Sequence, residues 1–290
     1  MKILVMGGTR FFGKRLVELL LEKEHDVTVA TRGNTDAGFG EAVNYLTLDR
    51  FDKASLSQIG EHTWDVVYDQ ICFAPTDAAE ALELLAGKVG RYVFTSTMAV
   101  YDQNYHAGMS ETEFDPYTYP IKMGRGDAFS YGEGKRLAEA VFHQQTDIPV
   151  VSVRFPIVFG PDDYTQRLHD PIRAIKAGET IQLQAEPHEF CLVSAAEAAD
   201  FLAWLAYATS EGPYNACSNG VVGTHALVQM IEEATGRKAQ IDHENPQHTF
   251  QVLNFPRDIS MQTDKAAEAG FTFANLMSWL RPLVNEIAQE

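Results

Sequence analysis

Tyr131-Gly132-Glu133-Gly134-Lys135 sets a phenol and an ammonium four residues apart. On a helix the two face one side. An ammonium beside a phenol favours phenolate, so Tyr131 can exchange a proton nearer neutral pH. The spacing alone is common, and its surroundings decide what it means. Tyr92-Val93-Phe94-Thr95-Ser96-Thr97 reads as a strand running into a hydroxyl-rich end. In parallel α/β sheets ligands sit at the carboxyl ends of strands. A hydroxyl there can hydrogen-bond the oxygen whose proton Tyr131 handles. For Ser96 or Thr97 taken singly, a plain strand-end hydrogen bond is the commoner role.

A second constellation lies near the start. Gly7-Gly8-Thr9-Arg10-Phe11-Phe12-Gly13 joins an apolar run to a helical pattern. Glycine lets backbone N–H groups approach a pyrophosphate, and a helix N-terminus adds free donors and a positive dipole end. Placed between the first strand and first helix of a βαβ unit, such a stretch points to a dinucleotide. Lys135 is then also expected to reach the cofactor's ribose. An acid for the adenosine ribose is expected some 20 residues on. The chain has Thr31-Arg32 there instead. Arg10 and Arg32 suit a 2′-phosphate, which favours NADP over NAD. A solvated loop is the rival account of Arg32. Asp49, at the end of the third strand, can meet the adenine amino group or simply close a turn.

The elements that must position these residues are legible. Lys2–Met6, Asp26–Thr31, Asn44–Leu48, Asp65–Asp69, Arg91–Thr97 and Val150–Phe155 are short apolar runs. Helical periodicity covers Gly13–Lys23, Thr76–Leu85 and Tyr131–Gln144. Such alternation implies a parallel sheet covered on both faces. The expected fold is α/β: a doubly wound, Rossmann-type parallel sheet with a smaller C-terminal substrate lobe. Residues 1–160 form the dinucleotide domain, joined by a segment returning at about 189–208. Residues 161–290 mainly form the lobe, with helices over Ala195–Ala208, Thr224–Thr235 and Ala274–Ala288. The segment Asp102–Ser130 links the two catalytic stretches and is expected to border the substrate, or else to be a plain surface excursion.

Composition narrows the function classes. Of 290 residues, 45% are hydrophobic, ample for a large core. The net charge of -17 disfavours nucleic acid and anionic membranes as partners. Three cysteines without regular spacing offer no disulfide framework, so a cytoplasmic setting is expected. The apolar run Lys2–Met6 is too short for a signal peptide, and no stretch suits a membrane span. Nine histidines form no HExxH or Cys/His cluster, and no metal is expected.

Glycine loop, hydroxyl strand end and Tyr-x-x-x-Lys occur in that order. Together they resemble the extended short-chain dehydrogenase/reductase family, which includes nucleotide-sugar epimerases and dehydratases. Val153-Arg154-Phe155-Pro156-Ile157-Val158-Phe159-Gly160-Pro161 resembles the strand and turn after the catalytic helix. Glu189–Val193 resembles a later strand re-entering the sheet. Gly212–Asn215 and Lys265–Phe271 resemble C-terminal landmarks. The resemblance implies Thr97 as catalytic hydroxyl, Tyr131 as acid/base and Lys135 as ribose-binding lysine. It also implies an NAD(P)-dependent epimerase/dehydratase or reductase acting on a small hydroxyl or carbonyl substrate, such as a sugar or nucleotide sugar. A homodimer is left open. Three positions depart from the pattern: Arg10 replaces the central loop glycine, Ile157 a nucleotide-holding Asn, and His188 an Arg. The Gly-Gly-Thr-Arg-Phe form resembles an atypical branch with chloroplast RNA-binding relatives. The competing reading is a non-catalytic dinucleotide-binding regulator or RNA-associated protein of the same fold.

Overall fold

The near-continuous apolar runs extend and pair side by side, because a strand buried on both faces has no polar side to present to water. In the computed structural model, which describes residues 1–290, they are β1 (Lys2–Met6), β2 (Asp26–Thr31), β3 (Asn44–Thr47), β4 (Trp64–Asp69), β5 (Val89–Thr97) and β6 (Val150–Phe155). A seventh strand, Gly212–Asn215, completes the sheet. The order is Gly212–Asn215, β6, β5, β4, β1, β2, β3, and every pairing is parallel.

Alternation along β1 divides the two faces. Ile3 and Val5 point into a core shared with helix α1 (Phe11–Glu22) and the helix Ala195–Leu205. Leu4 and Met6 point into the opposite core, beneath α2 (Lys53–Leu56), α3 (Pro75–Leu85) and α4 (Tyr131–Gln144). This period of two is the direct consequence of the pleat. The result is a Rossmann-type doubly wound fold, as the alternating pattern implies.

A third core builds the C-terminal lobe. It draws on Met98–Phe114 as well as on residues from Phe159 onward, including Phe190, Leu227, Leu253 and Leu280. Two sequence expectations are corrected here. Glu189–Phe190 and Leu192–Ser194 do not enter the main sheet. They pair with Val222–Gly223 and Ile157–Phe159 respectively. The strand that re-enters is Gly212–Asn215, beside β6, so the return extends past residue 208. Of the segment 102–130, Met109 and Phe114 join this third core, and the part from Pro116 to Arg125 straps α3 and α4. Gln144 Nε2 donates to Pro116 O and Tyr119 O, at 2.7 and 2.9 Å, and Arg125 bridges to Asp77 and Glu80. No helix is long and apolar enough to cross a membrane.

The strand order reverses between β1 and β4. Their carboxyl ends therefore diverge into two loops, the place where open α/β sheets take ligands.

Candidate active site and cofactor cleft

A cleft of about 400 Å³ opens at this reversal. Gly7, Thr9, Arg10, Phe11 and Phe12 line it from the loop after β1, and Thr31, Arg32 and Asp49 from the ends of β2 and β3. Gly7 has φ +93°, and a Cβ there would lie 2.6 Å from Ile71 Cγ2. Here glycine is required twice, by backbone and by space. Gly8 does not line the cleft. A Cβ on it would meet Val5 and Val17, each at 2.8 Å, so this glycine lets α1 pack against β1. Gly13 also lies outside the lining, and a Cβ there would overlap Gln70 Oε1.

The local backbone explains why an arginine can stand at the central loop position. Arg10 is extended (φ -140°, ψ 154°), which admits any side chain, and Phe11 takes the left-handed turn instead (φ +52°). The Arg10 guanidinium donates to Thr35 Oγ1 (3.0 Å) and stands 5.7 Å over the Tyr164 ring. Thr31 Oγ1 accepts from Gly33 N (3.2 Å). Arg32 is exposed. Asp49 closes a turn through Phe51 N (2.9 Å) and still lines the cleft.

The floor holds groups that the sequence did not single out. Arg50 is buried and donates to both oxygens of Asp69 (2.7 Å) and to Asp77 O (2.9 Å). Burial works against its charge, but the Asp69 carboxylate more than offsets this and raises its pKa. Tyr92 donates to the same carboxylate (2.6 Å), and burial, reinforced by Asp69, pushes that phenol far up. Burial pushes the Cys72 thiol up to about 12, which leaves it inert as a nucleophile. Arg50 Nε and Gln70 Nε2 are buried and have no partner. A cleft with unmade buried donors, a left-handed glycine turn and a helix N-terminus fits an anionic dinucleotide.

Next to the cleft lies the Tyr131–Lys135 helix end. Ser130 caps α4 by accepting from Glu133 N (3.3 Å). The two glycines between Tyr131 and Lys135 allow close approach on two sides. A Cβ on Gly132 would overlap the Asp102 carboxylate and lie 2.6 Å from Ala99 O. One on Gly134 would overlap Phe73 O. The start of α4 is thereby wedged between the turn after β5 and the loop after β4. A Gly-x-Gly inside the Tyr-Lys spacing was the signal for this.

The wedge gives the pair opposite environments. Tyr131 is 55% exposed, with Phe73 as a ring neighbour at 6.5 Å. Lys135 is 1% exposed. Its Nζ lies 5.9 Å from the Tyr131 ring centroid and donates to Cys72 O and Thr95 O, each at 2.7 Å. One of the three ammonium protons remains. Lys135 sits beneath the helix end, outside the lining of the cleft.

Thr97 ends β5 half-buried, and its Oγ1 accepts from Ala99 N (3.1 Å), which leaves its O–H to donate. Ser96 is buried and donates to Glu139. Of the two hydroxyls, Thr97 is therefore the one with a donor to spare. Ile157 lines a separate cavity of about 190 Å³, with Arg167, Thr249 and Gln251. His188 lies 3.5 Å from Asp258, and Arg257 donates to Tyr105 O (3.5 Å).

Comparison with known proteins agrees with this architecture. Residues 3–82, from β1 through most of α3, match the model of the NAD dependent epimerase/dehydratase family. The resemblance read from the motifs is borne out at this level. A plant protein, the chloroplast stem-loop binding protein of 41 kDa b of Arabidopsis thaliana, is 30% identical over 197 residues, 62% of this chain and 48% of its own. The chain thus spans about half the length of that relative. Among solved structures, UDP-glucose 4-epimerase from Thermotoga maritima, with UDP-glucose, has a TM-score of 0.76 at 18% identity, covering 100% of this chain and 98% of that one. UDP-glucuronic acid 4-epimerase from Bacillus cereus, in complex with NAD, has 0.72 at 18%, covering 100% and 99%. UDP-glucose 4-epimerase from Thermus thermophilus, also with NAD, has 0.70 at 20%, covering 99% of each. At these identities the likeness is one of fold.

Proposed function

We propose that this protein is an NAD(P)-dependent oxidoreductase of the epimerase/dehydratase type, acting on a hydroxyl or carbonyl substrate of the sugar or nucleotide-sugar class. One observation carries the reading: an exposed Tyr131 next to Phe73 of the cleft lining, with the Lys135 ammonium buried beneath it. The family match and the NAD-containing neighbours support it.

The nicotinamide supplies a hydride acceptor, and when reduced a hydride donor, at the substrate carbon. The chain's own residues handle the proton and the positioning. Tyr131 removes the hydroxyl proton as the carbonyl forms and returns it in the reverse direction. Lys135, fixed by two carbonyls, places its ammonium beneath the Tyr131 ring and offers its remaining proton to the ribose. Thr97 donates a hydrogen bond to the same substrate oxygen. The loop after β1 holds the pyrophosphate through Gly7 and Thr9–Phe12, while Gly8 and Gly13 shape its packing. At the adenosine end, Arg10, Arg32 and an acid-free β2 terminus favour NADP.

The test is to titrate the purified protein with UDP-sugars and simple sugars while following the absorbance of reduced nicotinamide. Turnover or reduction of bound cofactor supports the proposal. Tight cofactor binding without turnover of any such substrate, and with no effect of Tyr131→Phe, would leave only a binding protein.

The stem-loop binding relative favours a second reading, an RNA-associated protein on the same fold. The net charge of -17 opposes it. A salt titration of stem-loop RNA binding separates the two.

A further inference from the structure

Gln70 directly follows the last residue of β4, and its N–H donates to Met6 O (3.1 Å) at the end of β1. That bond sets its side chain beside the glycine loop, and Gln70 lines the cleft together with Gly7 and Arg10. A Cβ on Gly7 would lie 3.5 Å from Gln70 Cβ, and a Cβ on Gly13 would overlap Gln70 Oε1. Gly13 thus makes room for the amide, while Gly7 lies at ordinary contact distance from the same side chain. The carboxamide Nε2 is buried and finds no acceptor anywhere in the chain. A buried donor left unmade is costly, and native proteins keep few of them without a reason.

Nothing in the surrounding packing uses this donor. The loop's free N–H groups and the N-terminal end of α1 favour an anion at the same spot. We infer that Gln70 is a cofactor-binding residue, whose Nε2 donates to a pyrophosphate oxygen of the dinucleotide held by the Gly7–Gly13 loop. The inference rests on the cofactor reading above. It adds a contact from the other side of the β1–β4 reversal, outside the glycine motif. A neutral amide suits the position, because a carboxylate there would repel the phosphates.

The experiment combines calorimetric titration of the full chain with thermal melting in the absence of ligand. The probes are NAD, NADP and ADP-ribose, which share the pyrophosphate. Gln70→Met removes the donor at similar length, and all three probes should bind about 10- to 100-fold more weakly. ADP-ribose should lose as much as NAD, because the nicotinamide is not involved. The ligand-free melting temperature should hold or rise, because an unmade buried donor is gone. A purely structural glutamine would give the opposite sign. Gln70→Glu, which keeps the shape, should bind more weakly still, and it carries the test alone if the Met variant does not fold. Wild-type affinity in the variants that fold would overturn the inference. So would an affinity loss that appears only with a lowered ligand-free melting temperature, while the Glu variant binds normally. If the wild-type chain binds none of the three probes, the cofactor reading itself fails and takes this inference with it.

Discussion

Two buried polar clusters lie at opposite sides of β5, and they differ in how completely their bonds are made. Toward β6, Arg154 and Glu139 form an ion pair with no exposed surface on either side chain. Arg154 also donates to the Tyr101 hydroxyl (2.7 Å), Glu111 O (2.9 Å) and Phe114 O (3.0 Å). Tyr101 donates onward to Asn215 Oδ1 (2.8 Å), and Asn215 Nδ2 to Met109 O (3.0 Å). Burial opposes the Arg154 charge, while Glu139, then Tyr101, outweigh it and raise its pKa. None of these residues keeps an unpartnered buried atom. The cluster ties β6, the returning strand and the 109–114 segment together. The cleft at the β1–β4 reversal is different. Arg50 Nε and Gln70 Nε2 remain unmade there, and the neighbouring Tyr131 is exposed. A saturated cluster has nothing left for a ligand, whereas an unsaturated one is completed by it.

The contrast can be broken most forcefully at Glu139. Glu139→Ala strands a buried guanidinium and should cost about 3–5 kcal/mol of stability in denaturant unfolding. The folded fraction should keep its cofactor affinity. A loss under about 1 kcal/mol, or a selective loss of cofactor binding, would remove the distinction between the clusters.

Tyr131→Phe tests the other side. Turnover should fall by about 10²–10⁴-fold, with cofactor retained and stability changed by less than about 0.5 kcal/mol. Wild-type turnover in a folded variant sinks the mechanism. Lys135→Met should instead weaken cofactor binding as well as turnover, because it removes the buried ammonium and its two carbonyl bonds.

Gly132→Ala sharpens the comparison at the seam between the catalytic elements. Its methyl would press on Asp102 and Ala99 O, at about 1–3 kcal/mol by overpacking. Turnover should drop more than cofactor affinity, because the Thr97 turn and Tyr131 are forced apart. Equal stability and turnover would show that the wedge is loose.

The smallest effect is expected at the rim. Arg32 is exposed, so Arg32→Ala should weaken NADP roughly 2- to 5-fold more than NAD in parallel calorimetric titrations. An equal effect on both cofactors would assign Arg32 to something other than the 2′-phosphate.

Much of the architecture is legible because its signals are local. The period of two or 3.6 bounds β2 at Asp26–Thr31 and α4 at Tyr131–Gln144. The Tyr131–Lys135 spacing follows from helix geometry alone. The helix His169–Ala177 gives no such signal, since Leu168 supplies no capping side chain and Pro171 sits within its first turn. The resemblance puts Glu189–Val193 in the main sheet, whereas Gly212–Asn215, a Gly-Pro-Tyr-Asn stretch, has no apolar run to mark it as a strand, and only pairing assigns it there.

What the sequence alone determined, then, was the kind of fold and the order of the chemical groups along it. Repeating side-chain patterns and a glycine turn are properties of neighbours in the chain. Only the tertiary structure decided which groups are finished and which are not. Gly8 turned out to serve helix packing, Ser96 to be bound to Glu139, and Gln70 to be left with an unused donor. Whether a buried polar atom has a partner depends on atoms brought in from distant parts of the chain, and no spacing along one strand or helix encodes that.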